Sequence, residues 1–188
     1  MRVLLVHGPN LNRLGRREPS IYGTMTLDQI VGAVADRALK AGVEVMPFQS
    51  NHEGALIDWL QTEDANADAV IVNPGALAHY SVALRDALAD TRLPVVEVHI
   101  SQPTDREPFR QTLVTASVAA KVICGKGLTG YLEALDFVIN VVQRGDQSGT
   151  SQLSDAVTSH EHERDDRGRS CESRLNGYRG FLMFLVAL

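Results

Sequence analysis

The chain predicts an open α/β fold, a five-stranded parallel sheet with helices on both faces. Two observations carry that expectation. Short, continuous apolar runs alternate with longer segments of helical periodicity, as strands buried on both faces and joined by crossover helices should. Four of those runs also end in clusters of amides, imidazoles and hydroxyls. The first leads into Gly8-Pro9-Asn10-Leu11-Asn12 and the second into Gln49-Ser50-Asn51-His52-Glu53. The third leads into Asn73-Pro74-Gly75-Ala76-Leu77-Ala78-His79 and the fourth into His99-Ile100-Ser101. In a parallel sheet the carboxyl ends of the strands share one edge, and ligands bind there. These scattered polar groups are therefore expected to converge on one small site.

Each element has its own signal. Residues 3–6 are a continuous apolar run, the first strand. Residues 26–41 carry Leu27, Ile30, Val31, Val34 and Leu39 in a helical pattern. Thr26 is its N-cap, Gln29 stands at the capping-box position, and Gly42 is the stop. Residues 43–48 read as the second strand. Residues 53–63 read as a helix with Leu56, Ile57 and Leu60 inward. A strand at 69–72 precedes a helix at 81–89 capped by Ser81. Residues 94–98 are the fourth strand, 106–119 a helix, 122–124 a short fifth strand and 130–142 the last helix. Right-handed crossovers leave few topologies, and a flavodoxin-like sheet is the simplest.

Two segments depart from the alternation. Residues 12–25 are rich in Gly, Arg and Pro and exceed a usual βα loop. Arg13, Arg16 and Arg17, followed by Tyr22-Gly23, favour a lid over an anionic ligand. The second segment begins near Gly145. Residues 146–174 are polar and dense in charge and should not pack a core. Residues 1–144 are thus expected to form the folded domain, and 145–188 a disordered polar extension with a short apolar end. That end, residues 180–188, falls well short of the roughly 20 residues needed to span a bilayer.

Composition narrows the function. The 188 residues suffice for one domain with a real core. Hydrophobic content of 44% and charged content of 22% suit a globular protein. A formal charge of −5 argues against a nucleic-acid surface, which needs clustered cations. No run matches a secretory signal or a membrane span, so the expected compartment is the cytoplasm. Cys124 and Cys171 show neither metal spacing nor a disulfide framework.

The motifs carry a resemblance. His7-Gly8-Pro9-Asn10-Leu11-Asn12-Arg13-Leu14-Gly15-Arg16-Arg17-Glu18-Pro19, with Tyr22-Gly23, resembles the first signature of the type II 3-dehydroquinate dehydratases. Gln49-Ser50-Asn51-His52-Glu53-Gly54 resembles the second. Asn73-Pro74-Gly75-Ala76 with His79, Ser81, Arg85 and Asp86 resembles the third. Glu97-Val98-His99-Ile100-Ser101 with Arg106-Glu107-Pro108-Phe109-Arg110 resembles the fourth. Gly125-Lys126-Gly127 with Gly130-Tyr131 resembles the closing segment. Five motifs in one order over about 1–144 are far more specific than any single one.

The resemblance implies a flavodoxin-like fold and removal of water from 3-dehydroquinate to give 3-dehydroshikimate. That step serves aromatic biosynthesis or, in some organisms, quinate breakdown. It implies no metal and no organic cofactor. By resemblance Tyr22 is the base, acting as phenolate, and Arg17 activates it. A cation about 4 Å away, at an effective dielectric of about 20, is worth up to roughly 4 kcal/mol. That is enough to make a tyrosine useful as a base near neutrality. Asn10 resembles the residue that stabilises the enolate through an ordered water. His99 resembles the general acid, with Glu97 assigned to orienting it. Asn73, His79 and Arg110 are carried over as groups that bind the substrate's hydroxyls and carboxylate. The backbone amides of Ile100 and Ser101 are expected to hold the carboxylate. Asp86 is assigned to a neighbouring subunit's site, which implies trimers, commonly four of them in a dodecamer. Arg106 is expected near the site.

Each of these residues also has a plainer reading. His99 could be a core histidine, Asn10 and Asn73 could satisfy turn backbones, and Arg16 reads as surface charge. Two other functions compete with the enzyme: a module binding a small anion or nucleotide, and a catalytically dead scaffold. Neither needs Tyr22 beside Arg17, and the Gly-rich phosphate fingerprints are absent from the sequence. The chain departs from the family pattern at His7, where asparagine is frequent, and at Tyr80, Gln102 and Glu133.

Overall fold

The computed structural model describes residues 1–16, 23–105 and 107–158. Strands β1 (Arg2–His7), β2 (Glu44–Gln49), β3 (Ala69–Asn73), β4 (Val95–His99) and β5 (Lys121–Cys124) form one sheet. All neighbouring pairs are parallel, in the spatial order β2-β1-β3-β4-β5. This is the flavodoxin-like order that the sequence predicts, with its switch point between β1 and β3. The helices that flank it are α1 (Leu27–Lys40), α2 (Glu53–Glu63), α3 (Val82–Asp90) and α4 (Gly127–Thr158).

The central strands are apolar on both sides because both sides are covered. Val3, Leu5, Ile71, Val96 and Val98 pack with Ile30 and Val34 of α1 and with Ala134, Leu135 and Val138 of α4. The alternate residues Leu4, Val6, Val70, Val72 and Val95 pack with Leu56 and Leu60 of α2 and Leu84 and Leu88 of α3. Burying each such side chain contributes about 1.5–3 kcal/mol. Period-two alternation along the strands thus divides one apolar sequence between two helical layers.

The caps follow the sequence. Thr26 Oγ1 accepts from Gln29 N–H, and the Gln29 side chain accepts from Thr26 N–H, a full capping box at the start of α1. Such a cap is worth about 1 kcal/mol. Gly42, at φ 68°, takes the left-handed turn that ends the helix. Ser81 Oγ accepts from Leu84 N–H at 2.9 Å and starts α3. The Ser81 hydroxyl also donates to Glu53 Oε1, which ties the starts of α2 and α3 together.

Three expectations are corrected. The helix expected at 106–119 does not form. Among its described residues the segment holds only short 3-10 turns at Pro108–Arg110 and Thr115–Val118. Between them Val114 N–H donates to Ala78 O at 2.7 Å, and Ser117 Oγ–H returns to Val114 O. Pro108, the β-branched residues Thr112, Val114 and Thr115, and the competing serine hydroxyl all work against a continuous helix. Leu39, counted in the apolar pattern of α1, is 78% exposed. Finally, α4 starts at Gly127 and continues to Thr158 rather than spanning 130–142. Its later part is polar, so no apolar periodicity marked it. The sheet lies within a unit of residues 1–150. No helix among the described residues is long and apolar enough to cross a membrane.

Candidate active site

A cavity of about 250 Å³ opens at the carboxyl edge of β1, β3 and β4. After β1 it is lined by Pro9, Asn10, Leu11 and Leu14, and after β3 by Asn73, Gly75, Ala76 and His79. His99, Ile100 and Ser101 line it after β4, with Pro103 and Arg110 beyond. The strand ends therefore converge as the topology requires.

Two glycines let the loops meet. A Cβ on Gly8 would lie 2.2 Å from Pro74 O, so the turns after β1 and β3 cross in near contact. Gly75, at φ 60°, approaches Pro9 O from the other side. Asn10 sits in the left-handed region at φ 68°, where asparagine is tolerated, and its side chain makes no cap hydrogen bond. Its N–H donates to Asn51 Oδ1 at 2.8 Å. Gln49 Nε2 donates to both Gly8 O and Asn51 Oδ1. The second motif, after β2, thus braces the first, and it supplies none of the cavity wall.

At the end of β4, His99 Nε2 lies 2.6 Å from Glu97 Oε1. With Nε2–H given to the carboxylate, Nδ1 is the nitrogen left to exchange a proton with a ligand. The carbonyls of His99, Ile100 and Ser101 accept from Gly125 and Gly127 N–H groups. The N–H groups of Ile100 and Ser101 have no backbone partner among the described residues. Two adjacent free amides at a strand end suit a carboxylate. Cys124, the register partner of His99, is no nucleophile here. Burial, and then the Glu97 charge, push its thiol pKa up.

Across the cavity His79 Nδ1–H donates to Thr112 O at 2.9 Å, leaving Nε2 for a ligand. Arg110 stacks over the Phe109 ring at 5.1 Å and pairs with Glu107 at 2.8 Å. Asn73 is held at both ends, by Tyr131 Oη at 2.9 Å and by Gly75 N–H at 3.1 Å. Imidazoles, amide donors and a guanidinium around one cavity favour a small, oxygen-rich anion. Among the described residues no three His, Cys, Asp or Glu side chains are grouped to hold a metal ion.

The structure brings together Asn10, Asn73, His79, His99, Ile100, Ser101 and Arg110, with Glu97 behind His99. Asp86 is not at this cavity. It lies on the exposed side of α3, 2.7 Å from Arg85. Arg17, Tyr22 and Arg106 lie outside the described residues. Sequence reasoning missed the apolar wall of Leu11 and Leu14. It also missed the position of Tyr131 behind Asn73, although Tyr131 stands in the closing motif.

Comparisons with known proteins agree with this geometry. Residues 1–139 match the family model described as dehydroquinase class II. A 3-dehydroquinate dehydratase of Roseiflexus castenholzii is 53% identical over 150 residues, which are 80% of this chain and 94% of that protein. Another, from Halothermothrix orenii, is 53% identical over 144 residues, 77% of this chain and 97% of the relative. The crystal structure of the type II dehydroquinase from Butyrivibrio crossotus superposes with a TM-score of 0.72 at 44% identity, covering 73% of this chain and 97% of that one. A match that spans nearly the whole of each relative, with their fold and in motif order, leaves no separate piece of the sheet to explain: this chain belongs to the class II dehydroquinase family.

Proposed function

We propose that the chain dehydrates 3-dehydroquinate to 3-dehydroshikimate through an enolate. Membership of the family makes it a lyase, and the residue roles are our reading. Tyr22, as phenolate, removes the proton alpha to the ketone. Arg17 stabilises that phenolate. The roles of both rest on the first motif of the sequence. Asn10 stabilises the enolate oxygen through a water. His99 Nδ1–H then protonates the departing hydroxyl as its carbon–oxygen bond breaks, releasing water and the conjugated enone. Glu97 orients His99 and balances its charge. The proton on Tyr22 and the one missing from His99 return through solvent to close the cycle. Asn73, His79, Arg110 and the amides of Ile100 and Ser101 bind the substrate's hydroxyls and carboxylate.

The observation that supports this reading best is the buried pair of Glu97 and His99 at the wall of a cavity that Asn10 faces. A module that merely binds an anion has no use for a carboxylate buried behind its imidazole. We further propose trimers, four of which make a dodecamer, with Asp86 serving a neighbouring site. Asp86 is 61% exposed, and Tyr80 and Val82 nearby expose apolar surface.

The test is an ultraviolet assay of purified protein with 3-dehydroquinate. The enone product absorbs where the substrate does not, so turnover appears as a growing band. Folded protein that gives no band overturns the proposal. Tyr22→Phe should remove nearly all turnover, and full activity in that variant overturns the base assignment.

A further inference from the structure

We propose that Tyr131 is a positioning residue for Asn73, fixing the plane of its carboxamide so that one N–H is presented to the substrate. The inference rests on the dehydratase reading above and concerns the same site.

Tyr131 does not itself line the cavity; it stands behind Asn73, which does. It stands near the start of α4, 0% exposed, in the cluster with Ala134, Leu135 and Val138. Its ring also packs on His7, with centroids 5.6 Å apart and planes tilted by 33°. His7 is in turn the register partner of Asn73 across β1 and β3. The phenol is thus wedged between the last helix and the strand ends, and its hydroxyl has little freedom to move. That hydroxyl accepts from Asn73 Nδ2 at 2.9 Å.

A carboxamide has two N–H donors and one oxygen. Gly75 N–H donates to Asn73 Oδ1 at 3.1 Å and sets which end is oxygen. Tyr131 holds one of the two N–H groups and so sets the plane. The second N–H remains for a substrate oxygen at the cavity wall. Burial keeps the Tyr131 phenol pKa well above its ordinary value, so the hydroxyl stays neutral over any working pH. Asn73 is itself 3% exposed, so an amide released from Tyr131 would have no water to replace that partner.

The test is steady-state kinetics on the full chain for wild type, Tyr131→Phe, Asn73→Ala and the double variant. Tyr131→Phe keeps the ring and removes only the acceptor. Its KM is expected to rise about tenfold, the worth of one such hydrogen bond, with kcat within about twofold. In the Asn73→Ala background, Tyr131→Phe should raise KM no further, because its effect runs through Asn73. A merely structural role lowers the folded fraction, which reduces apparent kcat and leaves KM alone. A wild-type KM in Tyr131→Phe, or losses that add in the double variant, overturns the inference. If Tyr131→Phe does not fold, a crystal structure of wild type with a substrate analogue decides. Asn73 Nδ2 bonded to both Tyr131 Oη and a ligand oxygen supports the inference, and a carboxamide turned away from Tyr131 overturns it. A wild-type chain without turnover overturns the dehydratase reading and this inference with it. An active wild type beside an unchanged Tyr131→Phe overturns this inference alone.

Discussion

His99 Nε2 lies 2.6 Å from Glu97 Oε1, and the two side chains are 8% and 0% exposed. The residues are two apart on β4, and the pleat sends both to the same side of the sheet. A charge-assisted bond this short, shielded from solvent, holds the ring in one tautomer and one orientation. The strand itself therefore builds the dyad.

Glu97→Gln keeps the shape of the side chain and removes its charge. In this variant kcat should fall by about a hundredfold, the usual worth of a well-placed general acid, with KM changed by less than about threefold. Steady-state kinetics beside a circular dichroism spectrum check it. A large rise in KM at constant kcat would instead make Glu97 part of substrate binding.

Much of the fold was legible because each strand is apolar on both faces and each loop is polar. That contrast marked β1 to β4 to within a residue or two and put Asn10, Asn73, His99, Ile100 and Ser101 at one edge. His79 stood in the polar cluster after β3, but Arg110 was visible only through the family motifs, since a lone arginine in a loop carries no spacing signal. The segment after Arg106 misled because its apolar residues fit a helical period, whereas Val114 is pinned to Ala78 across the chain. The Asn73–Tyr131 contact was not readable at all. Its members are 58 residues apart, and nothing local in either motif requires the other.

His7 is 1% exposed, and neither ring nitrogen makes a hydrogen bond of good geometry among the described residues. Burial pushes its pKa down to about 4 from an ordinary 6.5, the Phe48 carbonyl offsetting a little of this. Between those values the unfolded chain takes up a proton that the folded chain refuses. The stabilising effect is therefore full above about pH 6.5 and is lost as pH falls toward 4. The gap amounts to roughly 3 kcal/mol. Urea unfolding at pH 7.5, 6 and 5 should show a flatter pH dependence for His7→Asn than for wild type. Carboxylates elsewhere act alike in both chains, so equal slopes would contradict a buried neutral His7.

Gly8 tests the crossing of the two loops. Its added Cβ would meet Pro74 O at 2.2 Å and Pro74 C at 2.5 Å, backbone atoms that cannot swing aside. Gly8 N–H also donates to Asn73 O at 2.8 Å, so separating the loops strains the turn that carries Asn73. Gly8→Ala should destabilise by about 1–3 kcal/mol or more and raise KM together with that loss. Gly54→Ala is the control, because a Cβ there meets nothing within 4 Å. Thermal melts and kinetics of both variants check the contrast, and a Gly8→Ala protein as stable as Gly54→Ala would refute the crossing.

The catalytic domain is proposed to end near Arg144, although α4 continues to Thr158. The argument lies in which residues pack. Leu128, Tyr131, Leu132, Ala134, Leu135, Val138, Ile139 and Val142 all meet the core, and all precede Arg144. The sequence of α4 after Arg144 is mostly polar and carries no run of apolar residues. A chain ending at Arg144 should keep kcat and KM within about twofold. Its melting temperature should stay within about 3 °C of the full chain, a change worth about 1 kcal/mol at this size. Sedimentation of the two chains reads the assembly in parallel. Equal activity with a smaller particle would assign the extension to assembly, and a collapse of activity at equal particle size would move the domain boundary past Arg144.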